Sequence, residues 1–449
     1  MKIIRLSVIV LLAFYGLNSY AQKTKLTPQN ALENYIKNGD KSFAWELKDS
    51  TILGNVVAYQ LLLTSQKWRE NTWRHQLTIF VPKNRQFNDA LLFITGGSNK
   101  DEQPNWTKSD GIWPSLAGVA EKNKATVALI RQVPNQPLYG NLTEDALISY
   151  TLHQFKQDKD YSWPLLFPMV KSAVRAMDAV QEFTMQRQKY AVNSFVISGA
   201  SKRGWTTWLS SAIDDKRVKA IAPMVIDMLN MPATLNYQYT TYGEYSIEIE
   251  DYVKLGIPQG TDTEDGKMIT AMIDPFSYRN KMSVPKMIFV GTNDEYWTID
   301  AIKHYINEIP GQNMIHYVPN VGHNLGGGKQ AFETLSAFFG LTVLNLPYPV
   351  NTWKVDYNKV NTELTIDAKT ENLVEATLWQ TTSSDRDFRN NLWLNKNIKL
   401  KDLPQIKVSL PYPKKGYQSF YIEMKYKDPN GGTYSVCTRT YVTDTEKVL

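Results

Sequence analysis

The chain has 449 residues, 43% of them hydrophobic and 21% charged, with a formal charge of +6. That length exceeds one ordinary domain and fits two, and the interspersed acids and bases leave no basic tract of the kind a nucleic-acid partner would need. A single cysteine, Cys437, rules out an intrachain disulfide, and no His-x-x-x-His spacing or cysteine pair offers a zinc site.

Residues 2–21 read as a secretory signal: Lys2 and Arg5, an apolar run from Leu6 to about Tyr15, then Ser19-Tyr20-Ala21 as a small-x-small cleavage site. The mature chain would begin near Gln22. No later apolar run is long enough to span a bilayer. The expectation is a bacterial protein exported to the periplasm or the extracellular side, with no membrane span.

A short helix is expected near Ala31 to Lys37 and an edge element at Phe43 to Leu47, followed by strands at Val56 to Thr64 and His75 to Val81. Ala90 to Thr95 is a buried strand that empties into Gly96-Gly97-Ser98, where adjacent glycines let backbone amides approach a ligand closely. Trp106 and Trp113 follow, then a helix from about Leu116, a buried strand at Ala125 to Arg131, and helices near Thr143 to Gln157 and Pro164 to Gln186. In the last of these, Leu166, Val170, Val174, Met177 and Val180 recur at helical spacing and belong to the core.

Asn193 to Trp208 is the stretch that points to chemistry. A strand rises into Gly199, Ser201 sits on the turn, and an apolar helix follows Gly204. A serine on such an elbow presents its hydroxyl above the sheet, and the amide of Lys202 sits at the helix N-terminus, where an oxyanion would form. The usual Gly-x-Ser-x-Gly is stretched here to Gly199-x-Ser201-x-x-Gly204, and a serine that merely caps the helix is the alternative. Gly97 or Ser98 is the expected second oxyanion donor.

The next buried strand, Val218 to Ile226, ends at Asp227. Residues 228–284 break the strand-helix alternation with aromatics and acids and are expected to form a cap, in which Tyr239 and Glu244 are candidate pocket residues. Pro285 to Gly291 is a strand ending at Asp294, a helical segment spans about Asp300 to Ile309, and the strand Asn313 to Val318 leads to Gly322-His323. Serine, acid and histidine, each beyond the end of a successive strand, follow the chain order of the α/β-hydrolases.

Of the five histidines, His75, His153, His304 and His316 fall inside strands or helical patterns, which leaves His323 as the general base. Asp294 is the favoured acid and Asp227 the alternative. From about Val350, short alternating strands at Trp353 to Tyr357, Glu363 to Asp367, Val374 to Gln380, Gln405 to Leu410, Ser419 to Tyr426 and Tyr434 to Val442, broken by turn signals, suggest an immunoglobulin-like β-sandwich. The expected organisation is a signal at 1–21, an α/β-hydrolase domain with a mostly parallel sheet at 22–348, and the sandwich at 349–449. Cys437 is expected as a buried core thiol.

The strings GASKRGW (Gly199 to Trp205), NLTEDALISYT (Asn141 to Thr151), IDPFSYRNKMSVPKMIFVGTNDEYW (Ile273 to Trp297), PNVGHNL (Pro319 to Leu325) and SSDRDFR (Ser383 to Arg389) resemble the PhoPQ-activated pathogenicity-related proteins. The resemblance implies an α/β-hydrolase fold, export, and a link to bacterial stress or virulence regulation. The elbow is also similar to that of glucuronoyl esterases, which brings carbohydrate esters into view.

The expected activity is that of a serine hydrolase with Ser201 as nucleophile, needing no cofactor and acting on a small-molecule, glycan-ester or peptide substrate. An esterase is favoured over a peptidase, and a non-catalytic binding or signalling protein is the third possibility. Trp106, Arg203, Trp205 and Trp297 join Tyr239 and Glu244 as candidate substrate contacts.

Overall fold

The computed structural model describes residues 25–107, 110–368, 371–400 and 405–449. The signal-like segment at 1–21 lies outside the described residues. The strands in chain order are β1 Ala44–Leu53, β2 Val56–Trp68, β3 Asn71–Pro82, β4 Asp89–Ile94, β5 Asn99–Lys100, β6 Gln103–Pro104, β7 Thr126–Ile130, β8 Ser194–Ala200, β9 Val218–Met224, β10 Lys286–Gly291 and β11 Asn313–Val318. Their main sheet runs β1-β2-β3-β7-β4-β8-β9-β10-β11. From β7 to β11 the pairings are parallel, and β1, β2 and β3 form an antiparallel edge.

The parallel strands are covered on both faces, which is why their sequences read as continuous apolar runs. Leu92, Ile94, Ala128, Ile130, Phe195 and Ile197 point to one face, packed with helices Pro28–Ile36, Glu144–Asp158, Leu166–Phe183 and Lys202–Ser210. Leu91, Phe93, Val127, Leu129 and Val196 point to the other, under helices Ile112–Asn123 and Lys329–Val343.

The C-terminal part adds β12 Asn351–Tyr357, β13 Asn361–Ala368, β14 Leu373–Ser383, β15 Leu394–Ile398, β16 Gln405–Pro411, β17 Tyr417–Lys427, β18 Thr433–Cys437 and β19 Tyr441–Thr443. They divide in two. β12, β13 and β16 form a separate three-stranded sheet. β18, β17, β14 and β15 extend the main sheet edge to edge, joined to β11 where Ile315 pairs with Cys437, while β19 pairs with β17. The two sheets share one apolar layer that includes Leu364, Ile366, Leu378 and Ile422. Cys437 is buried at the seam, and burial pushes its thiol well above the usual range.

Three elements depart from the sequence reading. The single strand expected over Tyr434 to Val442 is two, β18 and β19, because Thr438 turns to hydrogen-bond Ile422. β15 escaped the pattern because its residues Leu394 to Asn397 are all exposed. The segment after Asp300 forms the short 3₁₀ turns Ala301–His304 and Ile306–Glu308 instead of an α-helix.

Residues 228–284 form helices Met231–Tyr242, Glu250–Val253 and Glu264–Ile273 with two 3₁₀ turns. Asp274 ties both ends of this insertion together: its carboxylate accepts from the amides of Asn230, Met231 and Phe276 at 3.2, 2.7 and 2.9 Å.

The elbow between β8 and helix Lys202–Ser210 is tight. Ser201 takes φ 59° and ψ −126°, a strained conformation for a residue with a side chain, and its amide donates to Met224 O at 2.9 Å. A Cβ on Gly204 would lie 2.5 Å from the Met224 carbonyl, so the second glycine stands where helix and strand touch. Arg203 occupies the earlier position, with its guanidinium bonded to Glu144. Replacing Gly204 with Ala should therefore cost ~1–3 kcal/mol of stability through overpacking, read as a lower urea midpoint with unchanged slope, while Gly118→Ala, with no atom within 4 Å of its added Cβ, should not lower it.

Candidate functional site

Three loops at the C-terminal ends of β8, β10 and β11 meet at one rim of the sheet. His323 Nε2 is 2.8 Å from Ser201 Oγ, and His323 Nδ1 is 2.9 Å and 3.1 Å from the two carboxylate oxygens of Asp294. Asp294 is 4% exposed and its Oδ1 also accepts the Tyr296 amide at 2.9 Å. An ionised carboxylate here requires Nδ1 to carry the imidazole proton, which leaves Nε2 free to accept the serine hydroxyl. Ser201 makes no side-chain capping bond to its own helix.

The imidazole is held on further sides. The Tyr296 ring stacks on it with centroids 4.0 Å apart, and the His323 amide donates to Glu295 Oε2 at 2.8 Å. Glu295 also explains Gly322, because a Cβ there would sit 2.2 Å from the Glu295 carboxylate. Local pattern singled out neither Tyr296 nor Glu295, although both lie within the TNDEYW string that follows β10.

A charged cluster braces the other side. Arg203 binds Glu144 with both guanidinium arms at 2.7 Å and gives its Nε hydrogen to Val133 O. Gln136 Nε2 then donates both to Glu144 Oε1 at 2.6 Å and to Gly97 O at 3.1 Å. This chain of contacts ties the Gly96–Ser98 loop to the elbow helix, and Gly96 lies so close beneath the guanidinium that a Cβ would be 2.5 Å from it. Burial would raise the Glu144 carboxyl, yet the Arg203 hydrogen bonds and charge outweigh it and hold the group below its ordinary value. Lys202 Nζ pairs with Asp145 at 2.5 Å, and Tyr252 donates to the same carboxylate at 2.9 Å. Nothing in the sequence marked the Glu144-Asp145 and Lys202-Arg203 pairs as facing each other, because acids that open a helix read first as dipole partners.

Beside Ser201 opens a narrow cavity of about 40 Å³, lined mainly by Trp205, Ile226, Met228, Leu235 and Trp297, with Lys202 and Asp145 at its edge. Of the six candidate contacts, Trp205 and Trp297 line this cavity. Arg203 is consumed by Glu144. Trp106 and Tyr239 are 38% and 49% exposed and Glu244 is exposed, and none of the three lines the cavity. Tyr239 packs on Tyr245 instead. Ser98 Oγ accepts from Asn105 Nδ2 at 2.7 Å.

Asp227 is engaged elsewhere. Its Oδ1 accepts the Tyr305 hydroxyl at 2.7 Å, and among the described residues its Oδ2 has no partner. Burial pushes its carboxyl up to about 7. His75 and His316 are buried and pushed down to about 4 by burial. Among the described residues, no group of three or more His, Cys, Asp or Glu side chains is placed to hold a metal ion, and no helix is long and apolar enough to cross a membrane.

Residues 32–389 match the family described as PhoPQ-activated pathogenicity-related protein. Autocrine proliferation repressor protein A of Dictyostelium discoideum is 29% identical over 428 residues, covering 88% of this chain and 85% of that protein. Among solved structures, acetyl xylan esterase 1 from Thermoanaerobacterium sp. JW/SL YS485 superposes with a TM-score of 0.50 at 18% identity, over 71% of this chain and 95% of that one. An acetyl xylan esterase from Paenibacillus sp. R4 follows at a TM-score of 0.48 and 12% identity, over 69% and 92%. The fold is thus a mixed α/β fold with a large, mostly parallel central sheet, similar to that of the Thermoanaerobacterium esterase.

The environment of Asp227 has a measurable consequence. A carboxyl whose folded value is raised stabilises the fold below the ordinary carboxylate range and loses that contribution as the pH climbs through about 7. Asp227→Asn should therefore gain thermal stability relative to the parent chain between pH 5 and pH 8. A stability difference that is the same at both values would contradict it.

Proposed function

The chain belongs to the PhoPQ-activated pathogenicity-related protein family, and we propose that it is an exported serine hydrolase that opens carboxylic esters through an acyl-enzyme. The reading rests on one observation: the continuous contact from Ser201 Oγ through the His323 ring to the Asp294 carboxylate. Order along the chain suggested it, and the 2.8 and 2.9 Å separations support it.

In this mechanism His323 Nε2 removes the Ser201 proton as Oγ attacks the ester carbonyl, and Asp294 orients the ring and stabilises the imidazolium. The oxyanion that forms is met by the Lys202 amide at the helix N-terminus and by the amides of the Gly97-Ser98 loop, whose position Gln136 and Glu144 set. His323 then passes its proton to the departing alkoxide. A water, deprotonated by the same imidazole, attacks the acyl-serine and restores the enzyme.

The cavity sets the acyl group. At about 40 Å³ and walled by apolar side chains, the cavity is much smaller than the roughly 150 Å³ that admits benzene, so it favours a short acyl chain such as acetyl. Because the same kind of fold serves an acetyl xylan esterase, acetylated glycans belong in any substrate panel. The two sheets of the C-terminal part are read as a sandwich-like unit built onto the hydrolase sheet.

A second reading, a signalling protein that keeps the hydrolase shell, draws on the name of the Dictyostelium relative. Full complementation of a deletion strain by the Ser201→Ala chain would favour it.

A fluorophosphonate probe should label the parent chain but not Ser201→Ala, and Asp294→Asn should lose about 10³–10⁴ in kcat while Asp227→Asn keeps its activity. Equal labelling of parent and Ser201→Ala would overturn the reading. In a series of p-nitrophenyl esters, kcat/KM should fall at least about tenfold from acetate to octanoate, a difference of ~1.4 kcal/mol. Trp297→Ala should narrow that gap. A preference for octanoate, or amide turnover as efficient as ester turnover, would reject the short-acyl esterase.

A further inference from the structure

Asp294 and His323 stand on separate loops, yet both loops are gripped by one distant turn, residues 384–393 between β14 and β15. Asn293, the neighbour of Asp294, turns its side-chain Nδ2 to that turn, where the carbonyls of Phe388, Arg389 and Asn391 lie at 3.4, 3.0 and 2.8 Å. Asn320, in the loop that carries His323, makes a two-way bond with Trp393: its Nδ2 donates to the Trp393 carbonyl at 3.0 Å, and its Oδ1 accepts the Trp393 amide at 2.7 Å.

The loops are also laced to each other. Thr292 Oγ donates to Asn293 Oδ1 and accepts the Asn320 amide, both at 2.8 Å, and the Asn293 amide donates to Val321 O at 3.0 Å. Phe388 and Trp393 anchor the turn, at 2% and 1% exposure. Its two arginines reach the cap. Arg389 lies over the Tyr242 ring at 4.1 Å, and Arg386 lies over Tyr237 at 4.9 Å and donates to its hydroxyl. Both tyrosines belong to helix Met231–Tyr242, which supplies Met231 and Leu235 to the cavity wall.

We propose that the 384–393 turn is a positioning element of the serine site, with Asn293 and Asn320 as the positioning residues that hold the Asp294 and His323 loops at their working separation. The proposal rests on the hydrolase reading above and gives the C-terminal strands a part in catalysis. Neither asparagine touches substrate. Each acts through its neighbour, because a reacting group displaced by about 1 Å loses on the order of a hundredfold in rate. The contacts that these two side-chain amides donate and accept, with the hydroxyl they share, are a rigid way to prevent that displacement.

The test uses the full chain with Asn293→Ala and Asn320→Ala, each titrated for active sites with a fluorophosphonate and assayed on p-nitrophenyl acetate well below its unfolding temperature. We expect kcat per titrated site to fall about 10–100-fold with KM within twofold. In an Asp294→Asn background, Asn293→Ala should add little further loss, since both act on the same group. A purely structural role would lower the thermal midpoint and the titrated fraction, leave kcat per site intact, and multiply with Asp294→Asn.

Hydrogen exchange gives a readout that needs no turnover. Asn320→Ala should speed exchange in both the 292–297 and 318–325 segments, and unchanged exchange there with unchanged kcat per site overturns the proposal. Should the parent chain show neither labelling nor turnover, the hydrolase reading fails by itself, and the exchange data still decide whether the turn holds the loops.

Discussion

The two-armed ion pair between Arg203 and Glu144 is the constraint around which this site is arranged. It joins the elbow helix to the N-terminus of helix Glu144–Asp158, and through Gln136 it reaches the Gly97 carbonyl. A charge as enclosed as Arg203, with a side chain 10% exposed, is tolerable only when its donors are met, and here Glu144 and Val133 O meet them. Such a pair adds little net stability over an apolar packing of the same volume, but removing Glu144 would strand the enclosed guanidinium without its charged partner. What it supplies is geometry: four chain segments brought beside Ser201 in one register.

The buried carboxylates at the rim show how environment, and not residue type, divides the work. Asp227 has a single tyrosine donor, and burial leaves it with the proton up to about pH 7. Asp274 faces three backbone amides and closes the cap, yet burial still pushes it up to about 7. Asp294 meets an imidazole and one amide. Only the last has a partner through which a proton can be moved to a hydroxyl.

The parallel strands were legible because each is apolar on both faces, and the loops that end them follow directly. Ser201, Asp294 and His323 could be chosen by their place after successive strands, and Trp205 and Trp297 by their nearness to strand ends. Trp106 had the same local credentials, and Tyr239 and Glu244 stood among the aromatics and acids of residues 228–284, yet all three lie outside the cavity, since exposure depends on how the surrounding chain packs. Tyr296 was unreadable as a ring stacked on His323, because that contact forms across the gap between two loops.

By itself the sequence determined which segments are the buried parallel strands, where the strained turn falls, and the order of hydroxyl, carboxylate and imidazole, since burial periodicity and turn chemistry are local properties. Tertiary structure alone decided that β18 pairs with β11, that Glu144 faces Arg203, and that one turn near the C-terminus grips the loops of both Asp294 and His323. Those are hydrogen bonds between polar groups far apart in the chain. An exposed backbone edge or an asparagine amide carries no mark of its eventual partner until the strands around it are in place.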